Sequence, residues 1–287
     1  MKVLAVGAAG ASAGLVVSAL TRKGVSVRGL VHNAGKADSA RRNGAEETVV
    51  ADLDDRAALR EAVRGVDAVF HIIPAFVPDE AATGVTLVEV AAEAGISRFV
   101  FSSVYHPSLT DLSNHRDKMP AEQALFDSGM EYTILQPAMF MAQLDSVVQQ
   151  AASSGVISGP YSAKSQMSYV DYRDVAEVAA SSFTSDRFVN GVFELSSPGM
   201  YSRENLAKIL TDLLGSPVRA EASPPEIPDS AAMPAVMREG LGRMFVHYDR
   251  YGFSGGNSLV LATMLGTEPT SVTDYLAELT TLRSRRV

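Results

Sequence analysis

Short apolar runs alternate with amphipathic stretches through the first half of the chain, and the alternation predicts its elements. Lys2-Val-Leu-Ala-Val6 has the length of one buried strand, and the run breaks at Gly7. Leu15, Val16, Ala19 and Leu20 then recur at helical spacing until Gly24. A second strand is predicted over Val25–Val31, a polar helix over residues 34–43 and a third strand over Glu47–Ala51. The next helix runs to Arg64, with Asp54 or Asp55 placed to cap it. Ala68–Ile73 reads as a fourth strand closed by Pro74, and Asp79–Ala94 as a helix with Val85, Val88 and Ala92 on one stripe. Arg98–Ser102 is the fifth strand. One helix is expected from about Ser113 to Ser128, and Tyr132–Gln136 is a sixth strand ended by Pro137.

Strands and helices in this rhythm require right-handed crossovers and a parallel sheet covered on both faces. The fold class is therefore α/β, a doubly wound parallel Rossmann sheet. After Ala152 the rhythm loosens. A strand at Met167–Val170, a helix at Tyr172–Phe183, a strand at Gly191–Ser196 and a helix from Tyr201 to Leu214 with Ser202 as its cap are expected. Pro224, Pro225 and Pro228 interrupt the stretch after that helix, and the last third is helical and rich in Met and aromatic residues, among them Met233, Met237, Met244, Phe245, Tyr248 and Tyr251. The expected division is a sheet domain over 1–155, rejoined by 167–196, and a smaller, mostly helical lid and substrate domain over 156–287.

In a doubly wound sheet, ligands sit beyond the carboxyl ends of the strands. The first such end is Gly7-Ala-Ala-Gly10-Ala-Ser-Ala13. Gly7 can take the tight turn, Gly10 lets a pyrophosphate approach the backbone, and the helix N-terminus offers N–H groups to it. Ala13 replaces the third glycine of a dinucleotide fingerprint with a residue small enough for close packing. The expected cofactor contacts here are Gly7, Ala9, Gly10, Ala11, Ser12 and Ala13. The end of the second strand, Val31-His32-Asn33-Ala-Gly-Lys36, carries no acid that would repel a 2′-phosphate. His32, Asn33 and Lys36 could meet that phosphate, with Arg28 as a further candidate inside the strand, and the pattern favours NADPH over NADH. Further contacts are expected from the later strand ends: Asp52 and Leu53, Ile73 and Pro74, Ser102 and Ser103, Pro137 and Ala138.

Composition narrows the class. Of 287 residues 46% are hydrophobic, and 25 Lys and Arg stand against 33 Asp and Glu for a net charge of −8. That balance argues against nucleic acid as a partner, and the closing Arg283-Ser-Arg-Arg286 reads as a solvated tail. With no cysteine there is no disulfide, thiolate metal site or cysteine nucleophile. The five histidines fall in no ligand spacing, so no metal is expected. No apolar stretch reaches membrane-spanning length, no signal peptide precedes the first strand, and a cytoplasmic location is expected. Monomer and homodimer remain equally open.

Several segments together resemble the NmrA-like branch of the atypical short-chain dehydrogenases, the quinone oxidoreductase-like proteins in particular. They are Gly7-Ala-Ala-Gly10, Val31-His-Asn33, Ala51-Asp-Leu-Asp54, Gly65-Val-Asp-Ala-Val-Phe70 and Arg98-Phe-Val-Phe-Ser-Ser103, with Tyr132-Thr-Ile-Leu-Gln-Pro-Ala-Met-Phe140 and Tyr251-Gly-Phe-Ser-Gly255 further on. Leu265-Gly-Thr-Glu-Pro-Thr-Ser271 extends the likeness nearly to the C-terminus. The resemblance implies either an NADPH-dependent reductase or a cofactor-binding regulator without catalysis. It also implies a Tyr-x-x-x-Lys pair, in which lysine lowers the tyrosine pKa and holds the nicotinamide ribose. Lys118 matches that lysine, but Asn114 stands where the tyrosine belongs and cannot supply a proton.

Tyr105, His106 and His115 lie near in sequence as replacements. Tyr105 reads equally as donor or pocket wall, and His115 more readily as a helix-surface residue. Quinone-like acceptors need chiefly orientation against the nicotinamide, and Phe76, Tyr105, Met139 and Phe140, with Phe245, could form a flat apolar slot for one. The expected activity is NADPH-dependent hydride transfer to a small apolar carbonyl or quinone-like acceptor, with Lys118, Tyr105 and His106 as catalytic candidates. The alternative is an NADP(H)-binding redox sensor that signals through a protein partner.

Overall fold

The computed structural model describes residues 1–223 and 233–284. Pro224, Pro225, Pro228 and the terminal Arg285 and Arg286 lie outside the described residues. The chain divides into two compact units, residues 1–137 with 175–194 and residues 138–174 with 195–287.

The first unit carries strands β1 (Lys2–Val6), β2 (Ser26–Val31), β3 (Glu47–Val50), β4 (Ala68–Ile72), β5 (Arg98–Ser102) and β6 (Glu131–Pro137). Between them run helices α1 (Ala11–Arg22), α2 (Ala37–Arg42), α3 (Arg56–Val63), α4 (Glu80–Glu93), α5 (Ser113–Arg116) and α6 (Met119–Asp127). Strand β10 (Gly191–Leu195) completes one seven-stranded sheet in the order β10-β6-β5-β4-β1-β2-β3. The pairings of β1 with β2 and β4, β2 with β3, and β5 with β4 and β6 are all parallel. The order reverses at β1, between β2 and β4, and that switch point opens a crevice above the carboxyl end of β1.

One face of the sheet packs Leu4, Val6, Val69, Phe99, Phe101 and Ile134 against Leu59, Leu87, Val88 and Leu125 of α3, α4 and α6. Each such side chain stabilises the fold by about 1.5–3 kcal/mol through burial. Close approach of α4 depends on Gly84, where a Cβ would lie 2.5 Å from Ile73 Cδ1 and 3.0 Å from Ala121 Cβ. Asp55 caps α3 by accepting from the N–H groups of Ala57 and Ala58. Its neighbour Asp54 instead accepts from Thr83 Oγ1 at 2.8 Å.

The single helix expected over 113–128 is two, α5 and α6, with Lys118 as the N-cap of the second. Pro120 has no N–H to give a preceding turn, so it sits in the first turn of a new helix.

The second unit contains β7 (Met139–Phe140), α7 (Leu144–Ser154), β8 (Val156–Gly159), β9 (Met167–Val170), β11 (Met200–Tyr201), α9 (Arg203–Leu214) and β12 (Arg219–Ala222). Helices α10 (Ala235–Tyr251), α11 (Leu259–Leu265) and α12 (Val272–Ser284) complete it, and α8 (Tyr172–Thr184) passes from this unit into the first at Val175. Ser202 caps α9 in a reciprocal box with Asn205.

The division differs from the expected one in two ways. It falls at Pro137 rather than near 155, because α7 packs with α9 and α12. Residues 175–194 return to the sheet unit, but 167–174 do not. β9 pairs with β7 and β11 in a separate three-stranded sheet, and β8 pairs with β12 in another. The second unit is thus less purely helical than expected.

Candidate functional site

The glycine turn after β1 is built by backbone alone. Gly7 adopts φ +70°, a left-handed conformation open to glycine, and Gly7 and Ala8 donate to Leu30 O at 3.1 and 3.3 Å. Gly10 donates to Gly7 O at 2.7 Å and forms the N-cap of α1 with no side-chain cap. A Cβ at Gly10 would stand 3.1 Å from Gly7 O, so a side chain here would fill the turn. Ala13 is buried under it. The first-turn N–H groups of α1 therefore face outward with a partial positive charge, and the cradle fits a pyrophosphate.

A cavity of about 490 Å³ opens from this turn, entirely within the first unit. Gly7, Ala9 and Gly10 form its floor; His32 and Lys36 stand at the end of β2; Asp52 and Leu53 stand at the end of β3. Pro74, Val77 and Pro78 close another side. His32, Asn33 and Lys36 are all exposed, and Asn33 precedes the short helical turn that carries Lys36. Arg28 is not available to a ligand. Its guanidinium binds Glu47 Oε1 at 3.0 Å and the carbonyls of Ala62 and Arg64 at 2.9 and 2.7 Å.

A second cluster lies beyond the carboxyl ends of β4, β5 and β6. Lys118 is 4% exposed and Glu80 is 3% exposed. Lys118 Nζ donates to Glu80 Oε1 and, at 3.3 Å, to Ile73 O. Glu80 Oε2 accepts from Phe76 N at 2.8 Å. Burial pushes the Glu80 carboxyl up and the Lys118 ammonium down, and the charge of each partner opposes the other's shift. This clasp folds the Pro74–Asp79 loop back on itself, and both Phe76 (φ +60°) and Asp79 (φ +52°) hold left-handed backbone. Phe76 itself is half-buried, and the loop offers the cavity Val77 and Pro78 in its place.

Ser102 and Ser103 are buried at the end of β5. Ser103 Oγ donates to Glu122 Oε1 at 2.5 Å, and Gln136 Nε2 donates to the same oxygen at 2.9 Å. Tyr105 is buried, anchored through its N–H to Pro137 O at 3.0 Å, and its ring lies 4.1 Å from that of His106. Burial, then the charge of Glu194, keeps the Tyr105 phenol protonated beyond the usual range. His106 Nδ1 pairs with Glu194 Oε1 at 2.6 Å, and His106 too has left-handed backbone at φ +53°.

His115 is not on a helix surface. It is 1% exposed, and its Nδ1 meets His106 O at 3.1 Å. The break between α5 and α6 turns this histidine inward. Asn114 Oδ1 is buried without a hydrogen-bond partner, and no phenol stands in the place the resemblance reserves for one. His71, in the middle of β4, is fully buried with neither ring nitrogen hydrogen-bonded, stacked on Phe101 at 5.7 Å.

The remaining expected residues belong to the second unit, which Ala138 opens. Met139 and Phe140 form β7 beside Tyr169 and Val170, and the Phe140 ring lies 4.6 Å from Tyr172. Phe245 lies 6.4 Å from Tyr161. Among the described residues no cluster of His, Cys, Asp or Glu could hold a metal, and no helix is long and apolar enough to cross a membrane.

Glu80, Glu122 and Glu194 have no counterpart in the sequence expectations. A signal did exist for two of them. Glu80 shares helical spacing with Gly84 and Leu87, and Glu122 with Leu125, so both acids sit on apolar stripes where acids are rarely placed without a partner.

A glycine turn at the switch point of a parallel sheet, opening to a cavity of this kind, defines a dinucleotide-binding α/β protein. The chain matches the NmrA-like family over residues 1–278 and belongs to it. It is 30% identical to an NAD(P)H azoreductase of Xenophilus azovorans over 218 residues, 76% of this chain and 75% of the relative. Quinone oxidoreductase 2 of Escherichia coli is 25% identical over 233 residues, 80% of this chain and 81% of that one. The crystal structure of a Citrobacter triphenylmethane reductase complexed with NADP(H) superposes with a TM-score of 0.84 at 20% identity, covering 97% of this chain and 100% of the other.

Proposed function

We propose that the protein is an NADPH-dependent oxidoreductase that passes a hydride to a conjugated, apolar acceptor of the quinone or azo kind. The observation that carries this reading is the side-chain-free turn from Gly7 to Gly10 opening into a cavity whose β2 wall presents His32 and Lys36. Gly7, Ala9, Gly10, Ala11, Ser12 and Ala13 would hold the pyrophosphate, with Asp52 and Leu53 beside the adenine and His32, Asn33 and Lys36 at the 2′-phosphate. Ile73, Pro74, Ser102, Ser103 and Pro137 would border the nicotinamide half, and Phe76 and Tyr105 the acceptor. Bound NADPH supplies the hydride, a chemistry no amino-acid side chain offers.

Within the chain, Lys118 holds the loop through Glu80 and so aims whatever binds there. Tyr105 and His106 stand at the carboxyl end of β5 as proton-bearing side chains. The azoreductase and quinone oxidoreductase among the relatives support this class of acceptor. Asn114, which lacks the acidity of a phenol, favours a second reading, a redox sensor that binds NADP(H) without turnover. NADPH oxidation measured across quinones, azo dyes, aldehydes and imines, beside fluorescence titration of NADPH, decides between them. Turnover with a quinone or azo compound supports the reductase; binding without turnover of any acceptor supports the sensor.

A further inference from the structure

Two carboxyl groups and one ammonium are buried around the carboxyl ends of β4, β5 and β6: Glu80, Glu122 and Lys118. Lys118 is committed to Glu80. Glu122, 7% exposed, sits one helical turn beyond Lys118 and has neutral hydrogen-bond partners, Ser103 from the end of β5 and Gln136 from β6. Helix α4, packed on α6, brings Glu80, whose charge is already paired, and β4 brings His71, which burial and then the charge of Lys118 hold at a pKa of about 3, neutral at pH 7. A carboxylate in such surroundings would be an uncompensated buried charge, and a protein avoids that by keeping the group protonated. Burial does push the Glu122 carboxyl up, against the two neutral hydrogen bonds that lower it.

We infer that Glu122 stores a proton in the resting protein and delivers it through the Ser103 hydroxyl to the acceptor, which the proposed function sets beside the end of β5. This rests on the reductase reading for the proton's destination. In the structure Ser103 Oγ donates to Glu122 Oε1 at 2.5 Å; with a proton on the carboxyl the same contact would run in reverse, from the carboxyl O–H to Ser103 Oγ. An acceptor reduced by a hydride, the electron pair that bound NADPH would supply, would carry an anionic oxygen or nitrogen. Ser103 gives that atom its hydroxyl proton and takes the one from Glu122, whose O–H electron pair stays on the carboxylate. An oxidised nicotinamide bound at this end of the sheet would add positive charge and favour the Glu122 carboxylate, and a proton from solvent would restore the carboxyl after its release.

The demand for this proton depends on the acceptor. A hydroquinone anion is weakly basic and can wait for water, whereas a reduced azo nitrogen is strongly basic and needs the proton as the bond forms. The store therefore matters most for azo acceptors.

Infrared difference spectra of the full chain, wild type minus Glu122→Gln, test the store directly. At pH 7 the wild type should show the carbonyl stretch of a protonated carboxyl that the variant lacks. NADP+ should bleach the band, and NADPH, with its neutral ring, should not. In turnover, Glu122→Gln and Ser103→Ala should lower kcat for an azo dye about a hundredfold, at least about tenfold more than for a quinone, and Glu122→Asp should recover part of it. Should Glu122→Gln fail to fold, Ser103→Ala keeps the carboxyl and must show the resting band with the same azo-selective loss. Absence of the band at pH 7, a band indifferent to NADP+, or equal losses on both acceptors would overturn the inference while leaving the reductase reading in place. Absence of NADPH binding in a fluorescence titration would overturn that reading, and the proton's destination with it.

Discussion

The Lys118 ammonium and the Glu80 carboxylate form a buried ion pair, and the same carboxylate holds the N–H of Phe76. The lysine that the resemblance assigns to a tyrosine and a ribose is thus engaged with a loop that borders the cofactor cavity. Two desolvated charges of this kind favour the fold only while both are present.

Removing one partner should therefore cost more than removing both. Lys118→Met or Glu80→Leu alone is expected to destabilise the protein by about 3–5 kcal/mol, and the double variant by much less. Urea unfolding of the three variants measures the coupling. NADPH affinity should fall in all three, because the loop that carries Val77 and Pro78 loses its clasp. Additive losses of stability would show that the two side chains act separately.

Gly10→Val should abolish dinucleotide binding and leave the fold standing. The new Cβ would lie 3.1 Å from Gly7 O, with two methyl groups in the space of the pyrophosphate. A loss of at least about a hundredfold in NADPH affinity, about 2.7 kcal/mol, is expected, with circular dichroism unchanged. Undiminished affinity would place the cofactor elsewhere.

Cofactor choice should depend on the end of β2. Lys36→Ala and His32→Ala are each expected to weaken NADPH about five- to tenfold, about 1–1.4 kcal/mol, and to leave NADH affinity nearly unchanged. Arg28→Met should cost stability and leave the NADPH to NADH ratio alone, since its guanidinium is held by Glu47, Ala62 and Arg64. Dissociation constants for both cofactors, measured at low salt, check this.

His71 should make the fold sensitive to mild acid. Burial, then the charge of Lys118, lowers its pKa from 6.5 to about 3. In the unfolded chain the ring takes a proton below about pH 6.5; in the folded chain it does so only near pH 3. Stability is thus lost as pH falls between those values, by about 1.4 kcal/mol per unit from this group. His71→Leu removes two buried nitrogens without partners and should flatten that slope while raising Tm. A slope in His71→Leu equal to that of the wild type would show that other groups govern acid unfolding.

By itself the sequence determined the strand–helix alternation of the first unit, the glycine turn, the acid-free end of β2, the cap at Ser202 and, to within the pair Asp54 and Asp55, the cap of α3. These depend on spacing and backbone chemistry within a few residues of one another, so they are legible without a partner. Only the tertiary structure decided that β9 pairs with β7 and β11, since a four-residue strand carries no mark of which sheet receives it. It also decided that Arg28 is committed to Glu47, that His115 is buried, and that Lys118 faces Glu80 from 38 residues away. Whether a charged side chain is solvated, paired or stranded depends on what long-range packing brings against it. Glu122 shows the same limit. Its place on the apolar stripe of α6 is a matter of sequence period, but its neutral partners come from β5 and β6, and only the parallel register of those strands sets them beside it.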